Sequence, residues 1–156
     1  MCDMAKEDPI TGEPLYKEID LIEGCINRMA GNSFKIKEWT VAIITAVVAL
    51  LSSKEVSLHA ICLIALIPLI LFWCLDAFYL RTERKYRKMY EWVLCQRKKG
   101  NNDFQFELNT QRFDSDVDGL CKVMFSKTLR LFYGIPTLFC VIIVLIPIFV
   151  CNVPWL

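Results

Sequence analysis

"WTVAIITAVVALLSSKEVSLHAICLIALIPLILFWCLD", residues 39–76, holds two apolar stretches parted by Lys54 and Glu55. The first has 15 uncharged residues between Glu38 and Lys54, the second 20 between Glu55 and Asp76. A helix needs about 20 apolar residues to cross a bilayer, so the second is long enough and the first, alone, is short. Their link "SSKEVS" decides the matter: helices joined so tightly form an antiparallel hairpin and enter the same medium. A third stretch follows Arg130, where none of the last 26 residues is charged. The expected fold is an all-α membrane protein. A transmembrane helical hairpin extends into a cytoplasmic helical stalk, and a third, C-terminal transmembrane helix follows.

Composition agrees. The chain has 156 residues, 55% of them hydrophobic, with a mean hydropathy of +0.40, too apolar for an ordinary soluble domain of this size. Its opening, "MCDMAKEDPITGEP", is acidic and lacks the basic and apolar regions of a signal peptide. The net charge of +1 conceals a sorting by segment. Residues 1–34 carry seven acids against Lys6, Lys17 and Arg28, whereas 81–99 carry eight bases against Glu83 and Glu91. By the positive-inside rule this basic stretch is cytoplasmic. The N-terminus is then cytoplasmic as well, and "CNVPWL" ends outside. The expected division is 1–38, a cytoplasmic N-terminal helix; 39–75, the hairpin; 76–130, a cytoplasmic basic helix and linker; and 131–156, the C-terminal span.

If the hairpin turns at 54–55, positions level across it sum to about 109, for a rise of about 1.5 Å per residue in both helices. Trp39 then lies near Phe72 and Trp73 as an interfacial aromatic belt. Asp76 falls about a turn beyond, opposite Asn32, Ser33 and Lys35, as a latch between hairpin and stalk. Arg28 comes level with Arg81 and Glu83, and Asp20 and Glu23 with Arg84, Tyr86 and Arg87. Leu15, Ile19, Ile22, Ile26 and Met29 form an apolar seam at helical spacing, matched by Tyr79, Tyr86, Tyr90 and Val93. The "GNS" at 31–33 is a kink or an N-cap. Phe104, Phe106 and Leu108 alternate after the turn residues "GNND", which reads as a short strand near 103–109. "LCKVMFSKTLRLFYG" reads as an amphipathic helix entering the last span, which Gly134, Pro136 and Pro147 make irregular.

Sites follow from these elements. Arg81, Arg84, Arg87 and Lys88, with Tyr86 and Tyr90 for stacking, form a candidate surface for anionic lipid or a phosphate-bearing nucleotide or oligonucleotide. Topological sorting also explains those charges. "DSDVDG" at 114–119 opens like a calcium loop, but Phe125 stands where the loop needs a glutamate. It reads instead as an acidic turn facing the basic arm. Ala42, Thr45, Ala46 and Ala49 make a small-residue stripe for helix packing, within the subunit or between subunits. Eight cysteines without a CxxC pair and one histidine, His59, give no zinc site. No metal, cofactor or catalytic set is expected, and the chain does not read as an enzyme.

"INRMAGNSFKIKEW" (26–39), "FWCLDAFYLRTERKYRKMY" (72–90) and "MFSKTLRLFYG" (124–134) resemble a family of small bacterial three-span membrane proteins with the pattern R-M-x-x-N-S-F-x-x-K-x-W, then F-W-x-L-D-x-x-Y-L-x-x-E-R. This family is similar to the membrane effector of Hailong-type anti-phage systems. The resemblance implies a homo-oligomeric, tetrameric, channel-like assembly in the bacterial inner membrane. Its opening depolarises the infected cell, under control of a nucleotide-derived signal from a partner nucleotidyltransferase. Carried over by motif, Arg28, Asn32, Ser33, Lys35, Trp39, Asp76, Tyr79, Glu83 and Arg84 are the positions to test. The alternative is a membrane-anchored scaffold or sensor that recruits a soluble partner without conducting ions.

Overall fold

A computed structural model describes residues 12–54 and 56–151, with side chains described through residue 146. The acidic opening up to residue 11, Glu55, the side chain of Pro147 and the "NVPWL" end lie outside the described residues. Every regular element among those residues is helical: α1 (Glu13–Ser52), α2 (Leu58–Lys98), a 3₁₀ turn (Thr110–Phe113), α3 (Leu120–Met124), α4 (Lys127–Leu129), a π turn (Arg130–Gly134) and α5 (Ile135–Cys151).

Among the described residues two helices are long and apolar enough to cross a membrane, one being α2 and the other the run Lys127–Ile146. Alpha-helix is the form in which such sequence satisfies its backbone without water. Pro68 lies inside α2, where its ring nitrogen cannot donate to the Ile64 carbonyl. α1 continues through Gly24 and Gly31, so the "GNS" at 31–33 neither breaks it nor caps a new helix.

The chain divides into two units, each drawing on both long helices. The first comprises residues 1–31 and 79–119. Its core is Ile22, Met89, Val93 and Phe113, ringed by Ile26, Tyr86, Tyr90, Trp92 and Leu108. The seam expected on α1 is the face that turns inward: Ile22 is buried and Leu15, Ile19, Ile26 and Met29 are half-buried. Gly100, at φ 74°, ends α2 in the left-handed region. That conformation lets Asn101 N–H reach Gln96 O at 3.1 Å, closing the helix in the manner that favours glycine.

The strand expected near 103–109 is absent; residues 103–106 form a turn. Phe104 and Phe106 stand at φ 57° and 59°, outside any pleated geometry and unusual for bulky residues. Buried polar groups impose this shape. Arg97 Nη1 donates to the carbonyls of Asn101 (2.6 Å) and Asp103 (3.2 Å), and Phe106 N–H donates to Glu18 Oε1 (3.1 Å).

The second unit comprises residues 32–78 and 120–156. Its entry to the last apolar helix is not one amphipathic helix, because the chain breaks at Phe125 and Ser126 between α3 and α4. The irregularity expected around Gly134 is present as the π turn. Many large apolar side chains of this unit are exposed, including Leu63, Ile67, Leu71, Leu138, Phe139 and Ile142.

Candidate functional site

In the second unit, Asp76 is fully buried. Ser33 Oγ–H donates to its Oδ1, while Lys37 Nζ lies 2.6 Å and Tyr133 OH 3.1 Å from its Oδ2. Lys37 also donates to Ser33 Oγ at 2.8 Å. The carboxylate is thus neutralised by one ammonium and saturated by two hydroxyls, as a buried charge requires. The Tyr133 ring stacks on Trp73 with centroids 6.1 Å apart and planes at 11°, and Trp73 Nε1–H donates to Met124 O at 2.9 Å. These bonds join α1, α2 and the π turn inside this unit. The arrangement is a tie between helices; both carboxylate oxygens accept from donors of the chain itself.

The hairpin register placed Ser33 opposite Asp76, and the two are bonded. Asn32 is half-buried beside this network and forms none of its bonds given above, while Lys35 is exposed. The cation is Lys37: Ser33 and Lys37 are one turn apart on one helix face, whereas Lys35 points about 200° away. The signal for Lys37 lay in the quoted pattern, whose lysine falls at 37. Tyr133 had no such signal, because nothing in its local sequence says which helix the third one meets.

In the first unit the basic arm is largely engaged by acids of the same unit. Lys85 pairs with Asp114, Arg81 donates to Asp118 O (3.0 Å) and lies 3.5 Å from Asp114 Oδ1, and Arg84 lies 3.4 Å from Asp118 Oδ2. Arg87 pairs with Glu83, and Lys88 with Glu91, both at 2.7 Å. The "DSDVDG" turn therefore faces the basic arm, and among the described residues no three metal-ligating side chains cluster. Arg28, level with Glu83 in the register, is not among the partners given for it: Glu83 takes Arg87, and Arg28 Nη2 donates to Cys25 Sγ at 3.6 Å. Glu23 and Arg87 do line one groove, of about 480 Å³, with Tyr90 and Glu91. Tyr86 and Tyr90 pack on the apolar core rather than standing free for stacking.

The hydrogen bond from Lys85, reinforced by its charge and that of Arg81, holds the Asp114 carboxyl below its ordinary pKa. Burial pushes the Tyr86 phenol up, aided by Cys25. The bond to Glu91 raises Lys88.

Sequence reasoning missed the most buried ion pair. Arg97 grips Glu18 through Nε (2.9 Å) and Nη2 (2.7 Å), with both side chains almost wholly buried. The register sets Glu18 against Glu91, but a long arginine reaches past the level position to a carboxylate it can hold in two places.

Ala42, Thr45, Ala46 and Ala49 are all exposed, so the small-residue stripe of α1 is not consumed by packing within the described chain. The described residues form an all-helical structure with two helices of membrane-spanning length and composition, compatible with a membrane protein. No family model, curated protein or solved structure matches it.

Proposed function

We propose that this chain is a three-span subunit of an oligomeric inner-membrane effector that perturbs membrane potential, with its N-terminus cytoplasmic and its C-terminus outside. The carrying observation is the exposed stripe Ala42, Thr45, Ala46 and Ala49. It lies in the uncharged 39–53 stretch of α1, which this reading takes as the short arm of a hairpin with the apolar part of α2. In lipid such stripes allow close helix approach, and with the stripe exposed among the described residues the natural occupant is another copy. A tetramer and channel-like opening are the assembly this reading adopts.

Control through the basic helix by a nucleotide-derived signal, made by a partner nucleotidyltransferase, belongs to the same proposal. An anionic ligand there would have to displace Asp114 and Asp118 from Arg81, Arg84 and Lys85. A second reading, a scaffold that recruits a soluble partner, draws on the half-exposed rings of Phe104 and Phe106, the first of which carries the Arg112 guanidinium 4.0 Å from its centroid. Liposomes carrying a potassium diffusion potential and a voltage-sensitive dye separate the two. The effector collapses the potential in the absence of ligand; a scaffold leaves it intact.

A further inference from the structure

Most cations of the basic arm hold a carboxylate, whereas Lys127 and Arg130, at the start of the last apolar run, do not. Among the described residues neither side chain makes a hydrogen bond or an ion pair. Both line an open groove of about 580 Å³ with Thr128, Leu131 and Ile135. The groove changes character along its length. Lys127 and Arg130, three residues apart and on one helix face, make its polar end. Leu131 and Ile135, 68% and 59% exposed, make its apolar end, and exposed Leu138 and Ile142 continue the same face.

Lys127 also begins the run of membrane-spanning length and composition, Lys127–Ile146. The Arg130 stem runs alongside Gly134, where a Cβ would stand 3.4 Å from Arg130 Cγ. An arginine stem placed so can lie on apolar surface while its head stays at the polar end.

We propose that this groove binds one anionic glycerophospholipid, its phosphate against Lys127 and Arg130 and an acyl chain along Leu131, Ile135, Leu138 and Ile142. Two cations without a protein anion favour a headgroup of net negative charge, because a zwitterionic one brings its own cation. A soluble phosphate would leave the apolar half of the groove unused. The proposal rests on the reading of 127–146 as a membrane span.

The test is native mass spectrometry of the full-length protein released from vesicles of equal phosphatidylglycerol and phosphatidylcholine. Each cation near an anionic headgroup is worth about fivefold in affinity. The wild type should retain phosphatidylglycerol over phosphatidylcholine by about tenfold or more. Lys127→Gln with Arg130→Gln should bring the ratio close to one. Lys127→Arg with Arg130→Lys should keep the preference, as should Lys98→Gln with Lys99→Gln, which removes two exposed charges elsewhere.

Equal loss in the Lys98/Lys99 variant would mean unspecific attraction and overturn the site. Displacement of the lipid by equimolar inorganic phosphate would assign the cations to a free anion and overturn the lipid. A protein that enters vesicles but shows no preference sinks this inference alone. One that never enters them sinks the membrane reading too.

Discussion

The two units handle charge in opposite ways. In the first, acids and bases are abundant and mostly pair at the surface: Lys85 and Arg81 with Asp114, Arg84 with Asp118, Lys88 with Glu91. Glu18 and Arg97 are sunk into it as a pair, and Glu83 is buried against an exposed Arg87. In the second, one buried carboxylate, Asp76, gathers Ser33, Lys37 and Tyr133 amid apolar side chains. Exposed pairs contribute little because water screens them, whereas breaking a buried one strands a charge. The comparison teaches that the number of ion pairs is a poor guide to where the chain is held.

The largest effects should come from the two buried pairs. Asp76→Ala should cost about 3–5 kcal/mol, because Lys37 loses its counter-charge, and Glu18→Ala should cost a similar amount. Unfolding in detergent measures both. Glu18→Ala should in addition speed amide exchange across 101–106, where Arg97 and Glu18 hold the backbone. If either variant unfolds like the wild type, the contrast between buried and exposed pairs collapses. Tyr133→Phe removes one bond to a charged acceptor and should cost about 1.5–3 kcal/mol by the same measurement.

Acid should act on the first unit through Asp114. Lys85 lowers its folded pKa, so the contact stabilises fully above the ordinary carboxylate range and is lost as pH falls through the lowered value. Amide exchange in 110–118 should therefore rise on acidification, and Asp114→Asn should remove the part of that pH dependence due to this group. Smallest of all, Lys17→Ala breaks an exposed i,i+4 pair with Glu13 and should shift stability by about 0.5 kcal/mol or less.

Helix content, the α1 seam and the Ser33–Asp76 level were legible in the sequence, because each follows from periodicity and equal helix rise. The acidic turn facing the basic arm was legible from charge sorting. Other features were not. The alternation of Phe104 and Phe106 imitates a strand, yet the backbone there answers to Glu18 and Arg97, whose partnership is about eighty residues apart and set by side-chain reach. Lys35 was chosen by level alone, and level ignores the helix face that selects Lys37. Tyr133 depends on how a third helix packs, which no local pattern encodes.

The central claim is that the exposed apolar side chains of the second unit face lipid. In membrane sheets open to water on both sides, Ile67→Cys and Ile142→Cys can be compared with native Cys95, which is exposed in the first unit. The account predicts that a membrane-impermeant maleimide labels Cys95 readily and leaves positions 67 and 142 unmodified until detergent is added. Labelling of 67 and 142 as fast as Cys95 in intact sheets would place those faces in water and contradict it.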